Sequence, residues 1–147
     1  MSKTQEYAHL VFGTKRREAT INPEHRRDLY KFLYYLLKEN GCYVYRINGM
    51  TDHVHILYDK SPTIATSDLV CIIKGTSSRW MKQSGLFPRF KGWAKEYFSA
   101  SKGRSQLEGV ISYIANQENH HRDKNFYEEL REMYVEEGFE WNDNDFQ

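Results

Sequence analysis

Two short stretches of this sequence hold side chains capable of chemistry. The first is His53-Val54-His55. Residues i and i+2 of a β-strand share a face, so both imidazoles project side by side while Val54 and Ile56 point the other way. Two neutral imidazoles so placed can share one divalent cation. The same pair also suits the wet face of an ordinary strand. Asp52 and Asp59 are nearby carboxylates. The second stretch is Ser112-Tyr113-Ile114-Ala115-Asn116-Gln117. At about 100° per helical residue, Leu107, Val110, Ile111 and Ile114 form one stripe, the expected buried face, and Tyr113 lies roughly 110° from its centre. Gln117 follows one turn later on the same side, with His120 a turn beyond. Tyr113 and Gln117 form a polar flank, which an amphipathic helix with a tyrosine over the core edge would also show.

A tyrosine can act as a nucleophile toward phosphorus, but a phenol with a pKa near 10 needs help to lose its proton at neutral pH. A metal ion can polarise a phosphate and steady a leaving oxygen. Two histidines give two ligands, and Gln117 can offer a carbonyl oxygen as the third. Oxygen donors with imidazole suit Mg2+ or Mn2+ better than thiolate-seeking metals.

These side chains need strands and helices to position them. Residues 6–13 read as a strand ending in the basic loop Lys15-Arg16-Arg17. Asn22 before Pro23 has the form of a helix cap. Leu29, Phe32, Leu33, Leu36 and Leu37 recur at helical spacing up to Asn40-Gly41. Residues 42–50 and 53–59 read as strands joined by a tight turn. A second helix is expected over 66–83, with Leu69, Ile72, Ile73, Thr76 and Trp80 on one face. A strand over 93–101, a helix over 104–119 and an acidic helix over 125–137 follow, the last with Phe126, Leu130, Met133 and Tyr134 as its apolar face. The order β-α-β-β-α-β plus two helices predicts an α+β fold of the ferredoxin-like, RNA-recognition-like split βαβ type. Its antiparallel sheet would carry helices on one face and leave the other free for a ligand or another element.

With 147 residues the chain fits one domain, taken as 1–147, and is too short for a (β/α)8 barrel at about 250 residues. No apolar run reaches the roughly 18 residues needed to span a membrane, and the first residues lack a secretory signal pattern. Cys42 and Cys71 have no CxxC spacing, which suggests reduced thiols in a cytoplasmic protein. The net charge of +1 conceals a division. Residues 1–100 hold 16 Lys+Arg against 9 Asp+Glu, and residues 101–147 hold 5 against 11, so a +7 body precedes a −6 segment. A basic body favours an anionic partner. Lys15, Arg16, Arg17, Lys74, Arg79 and Lys82, interleaved with aromatics such as Trp80, Trp93 and Tyr97, suit phosphates and unpaired bases.

Together the segments YAHLVFGTKRR, DHVHIL, IKGTSSRW and YIANQENHH resemble, in order and separation, the small single-tyrosine transposases of the IS200/IS605 family, in the HUH nuclease superfamily. The resemblance runs to about residue 142. The segment from Trp93 to Phe98 departs from the family's longer run with Gln and Gly after the tryptophan. The resemblance implies that His53 and His55 bind the metal, Gln117 is its third ligand, and Tyr113 attacks a phosphodiester of single-stranded DNA. That attack leaves a 5′-phosphotyrosine link and a free 3′-OH, which later rejoins strands. It further implies hairpin recognition at transposon ends and a homodimer whose tyrosine helices can complete each other's sites. A domesticated HUH nickase acting on palindromic repeats would share this site. A non-catalytic RNA-recognition-like module would need only the open sheet and the basic body. Acidic residues after Tyr113, such as Glu128, Glu132 and Glu136, are expected to face solvent or a partner subunit, away from DNA.

Overall fold

The computed structural model describes residues 2–143; Met1 and residues 144–147 of the expected 1–147 domain lie outside it. Four strands, β1 (Tyr7–Gly13), β2 (Tyr43–Met50), β3 (His53–Asp59) and β4 (Phe98–Ser101), form one sheet in the order β2-β3-β1-β4. Every neighbouring pair is antiparallel, as the split βαβ pattern requires. β3 is thus an interior strand, with His53 opposite Gly13 and Met50, and His55 opposite Val11 and Asn48.

Pleating sends alternate residues to opposite faces. Leu10, Phe12, Val54, Ile56 and Tyr58 join Leu29, Leu33 and Leu37 of α1 (Arg26–Glu39) and Leu69, Val70 and Ile73 of α2 (Thr66–Ser84) in the larger apolar core. His9, Val11, His53 and His55 alternate with those strand residues. The second cluster joins Val11, Phe98 and Ala100 of the sheet to Phe126, Leu130, Met133 and Tyr134 of α5 (Phe126–Glu137). The apolar face expected for this acidic helix is therefore buried, and Asn125 caps it by accepting a hydrogen bond from the Glu128 N–H at 2.9 Å. The face expected to be free for a ligand or another element is covered by α5.

Several local expectations are corrected. Pro23–His25 is a 3-10 turn before α1, and the Asn22 side chain caps nothing; its Nδ2 donates to the Leu86 carbonyl at 2.8 Å. The buried stripe of α2 runs through Leu69, Val70, Ile73, Ser77 and Met81, leaving Ile72 at the surface. Of residues 93–101 only Phe98–Ser101 pair as a strand, while Trp93 makes an isolated bridge with Thr14. The helix expected over 104–119 is broken: a 3-10 turn at Arg104–Gln106, α3 (Leu107–Ala115), then α4 (Gln117–His120) after a bend at Asn116. Of its predicted stripe Ile114 is buried, and Leu107, Val110 and Ile111 are half-exposed. Asn48 of β2 explains where α3 ends. Its Nδ2 donates to the carbonyls of Ile114 (2.9 Å) and Ala115 (3.4 Å), satisfying groups that a helix end leaves without partners. Among the described residues, no helix is long and apolar enough to cross a membrane.

Candidate active site

The strand pattern carries His53 and His55 onto the face beneath α5, where both are fully buried. Each ring is held at Nδ1 and presents Nε2 to the same point. His53 Nδ1 lies 2.7 Å from Asp52 Oδ1, and His55 Nδ1 lies 2.8 Å from Nε2 of His9. The two Nε2 atoms converge on one carboxylate oxygen, Oε1 of Glu129, at 3.2 and 3.3 Å. His121 Nε2 reaches the same oxygen at 3.0 Å. Gln117 is buried beside them: its Oε1 is 2.9 Å from His53 Nε2, and its Nε2 donates to Glu129 Oε2 at 3.0 Å. The Tyr113 hydroxyl donates to that second oxygen. The tyrosine and glutamine expected to share a helix flank thus meet the histidine pair, and Glu129 joins all of them.

Packing fixes this arrangement. The Phe126 ring lies parallel to the His53 imidazole with centroids 3.9 Å apart. Gly13 makes room for it, since a Cβ there would come within 2.6 Å of Phe126 Cε2. The His120 ring stacks on Tyr113 at 4.6 Å. A cleft of about 360 Å3 opens beside Tyr113, lined by His9, Lys102, Gln106 and α5 acids including Glu132 and Glu136. Glu128, Glu132 and Glu136 are all exposed.

The electrostatics separate the two histidines. Burial opposes charge on His53, but the Asp52 and Glu129 carboxylates hydrogen-bonded to its two nitrogens together outweigh this and lift its pKa to about 9. Burial lowers the pKa of His55 despite Glu129, and lowers His9 well below its usual value, with His55 adding to the effect. Without a bound cation, His53 therefore favours its charged form, and His55 and His9 their neutral forms. Burial alone would raise the Glu129 pKa, yet His121, His53 and His55 hold it far below the carboxylate range. Burial and the adjacent Glu129 charge push the Tyr113 phenol well above its usual value.

The donor set suits a divalent cation. His53, His55 and Glu129 each offer a ligand atom within 4.8 Å of the others, and hydrogen bonds at Nδ1 orient both imidazoles, as is usual for metal-bound histidine. Cys42 and Cys71 are free thiols and neither belongs to this cluster.

Sequence reasoning missed Glu129, His121 and His9. A signal for Glu129 was present: it follows Phe126 by three residues and precedes Met133 by four, so it falls on the buried stripe of α5 rather than among its solvated acids. The basic residues divide. Lys15, Lys74 and Lys82 line one cleft with Trp93, Lys95 and Tyr97. Arg79 and Arg16 are exposed elsewhere. The Arg17 guanidinium lies 4.9 Å above the Tyr127 ring, next to Phe126. Arg16 and Arg17 both hold positive φ angles (58° and 56°), a costly conformation for residues other than glycine.

Residues 2–117 match the sequence model of the family described as "Transposase IS200 like". This chain belongs to the IS200-like transposases. It is 34% identical over 116 residues to the ISDra2 transposase TnpA of Deinococcus radiodurans, covering 74% of this chain and 81% of that relative. A solved transposase-like chain from the same organism superimposes with a TM-score of 0.61 at 26% identity, over 80% of this chain and 98% of the other. A REP-associated tyrosine transposase solved bound to a REP hairpin superimposes at 0.62 with 12% identity, over 82% and 74% of the two chains, and so shares the fold. The family match ends at Gln117. Glu129 and the rest of α5 lie beyond it.

Proposed function

We propose that this transposase cuts and rejoins single-stranded DNA through a covalent tyrosine link. His53, His55 and Gln117 are its metal ligands and Tyr113 its nucleophile, the arrangement that defines an HUH nuclease. The observation that carries this reading is the meeting of Tyr113 and Gln117 with both Nε2 atoms of the histidine pair, across one carboxylate. Mg2+ or Mn2+ bound there would polarise the phosphate and stabilise charge on the leaving oxygen.

Tyr113 loses its phenolic proton and attacks phosphorus. The P–O3′ bond breaks, the 3′ oxygen gains a proton, and the phosphate remains linked to tyrosine at its 5′ side. A free 3′-OH attacking that link restores the phenol, so the energy of the broken bond is retained. Gln117 and Glu129 hold Tyr113 near the metal ligands.

The cleft with Lys15, Lys74 and Lys82, and Arg16, Arg17 and Arg79 outside it, would supply cations for the DNA backbone. The hairpin in the REP-associated relative's structure supports a hairpin as the bound form. A homodimer would cover the half-exposed apolar side chains of α3, while Tyr113 and Gln117 already reach the histidine pair of their own chain, which favours a site completed in cis over one completed in trans. A cytoplasmic location fits such work on DNA.

The test is a denaturing gel of protein incubated with Mn2+ and labelled single-stranded hairpin DNA from its own flanking genomic sequence. A slow covalent adduct is expected, lost in Tyr113→Phe and in His53→Ala. An adduct that survives Tyr113→Phe overturns the assignment of the nucleophile. Tight binding with no adduct in any metal points to a non-catalytic nucleic-acid module.

A further inference from the structure

The family's ligands account for His53, His55 and Gln117, but leave unexplained why a fully packed helix delivers a carboxylate between them. We propose that Glu129 is a fourth donor to the metal, with Oε1 on the ion and Oε2 on the Tyr113 hydroxyl. This rests on the proposed metal-dependent function.

The distances support it. Neighbouring ligands of a six-coordinate ion with bonds of about 2.1 Å lie about 3 Å apart. The separations here are 2.9 Å from His53 Nε2 to Gln117 Oε1, and 3.2 and 3.3 Å from Glu129 Oε1 to His53 Nε2 and His55 Nε2. Each atom is aimed by another contact. Asp52 and His9 hold the two Nδ1 atoms, and the Glu129–Gln117 hydrogen bond turns the amide oxygen toward His53.

The alternative is that Glu129 merely fills the space and withdraws when a cation arrives. Phe126, Leu130, Met133 and Tyr134 fix α5 itself, so only rotation of the Glu129 side chain could remove it, and that would break its hydrogen bonds with Tyr113, Gln117 and His121. A divalent cation also attracts a buried carboxylate far more strongly than the neutral amide of Gln117. One carboxylate then links metal to nucleophile, so a bound ion tightens α5 and fixes Tyr113 together.

Two readouts other than activity test this. The first is Mn2+ affinity, followed by loss of the free-ion signal in electron paramagnetic resonance. Glu129→Gln should weaken binding at least tenfold. The second needs no variant: hydrogen exchange of the α5 amides (126–137) in the wild-type protein should slow when Mn2+ is added. Unchanged or tighter binding in Glu129→Gln, or faster α5 exchange with Mn2+, overturns the proposal. His53→Ala separates the two levels. If it abolishes wild-type Mn2+ binding while Glu129→Gln has no effect, only the Glu129 assignment fails. If the wild-type protein shows no Mn2+ binding dependent on His53, the metal-dependent function fails with it.

Discussion

The two faces of the sheet are built from the same strands by opposite means. Toward α1 and α2, β1 and β3 present Leu10, Phe12, Val54, Ile56 and Tyr58 to an apolar layer that needs no polar partners. Toward α5, the alternate residues His9, His53 and His55 meet a carboxylate, an amide and a phenol, all tied by hydrogen bonds. One face gains stability from area removed from water. The other spends packing on α5 to enclose a polar network, whose members are costly to bury unless every one is satisfied. Stability and chemistry are thus assigned to alternate residues of the same strand.

Breaking each face separately should give opposite phenotypes. The largest effect is expected at Tyr113→Phe, with cleavage falling at least about a thousandfold and the melting temperature little changed, read by gel and thermal denaturation. Leu33→Ala on the other face should cost about 2–5 kcal/mol of stability, measured by urea unfolding, while molecules that remain folded still form adduct. Strong loss of cleavage without loss of stability there would end the division of labour.

Gly13→Ala tests the seam between the faces. Its Cβ would press on Phe126, which stacks on His53. Mn2+ affinity should drop by about 10- to 100-fold, as for other supports of a metal ligand, measured by titration calorimetry.

The histidine face should also make the metal-free protein sensitive to pH. His53 has a folded pKa of about 9 against an ordinary 6.5, so its contribution is complete below 6.5 and is lost as pH rises through 9. His9 and His55 are shifted down, so their contribution is present above 6.5 and lost as pH falls through their lowered values. With a chelator present, the melting temperature should therefore peak near pH 6.5 and fall on either side. His53→Ala should abolish the fall between 6.5 and 9. A wild-type profile flat over that range would contradict the charged state assigned to His53.

The smallest effect is expected at the α5 surface. Reversing Glu128, Glu132 and Glu136 to lysine should leave hairpin affinity unchanged or raise it, measured by fluorescence anisotropy. A marked loss would show that this surface is misassigned.

The strands and the placing of His53 and His55 on one face were legible because strand alternation is local: HVHIL specifies its own two faces wherever it pairs. The Tyr113–Gln117 spacing was legible for the same reason, although the bend at Asn116 depends on Asn48, far away in sequence, and was not. Glu129 was hidden among Glu128, Glu132, Glu136 and Glu137. Its role follows from the phase at which α5 docks on the sheet, a tertiary property that the apolar stripe records but does not announce. The basic residues were the least legible. Nearness in sequence did not put Arg16 and Arg17 in the cleft that Lys15 lines, because both take left-handed conformations that turn the chain just after Lys15.

The central claim is that Tyr113 becomes covalently bound to DNA, and peptide mapping of the adduct tests it most directly. After reaction with Mn2+ and hairpin DNA, nuclease trimming and trypsin digestion, the peptide spanning residues 105–122 should carry a nucleotide joined through its 5′ phosphate. Fragmentation should place that mass on Tyr113. The mass on any other residue, or an unmodified 105–122 peptide from a sample in which DNA has been cleaved, would contradict the account.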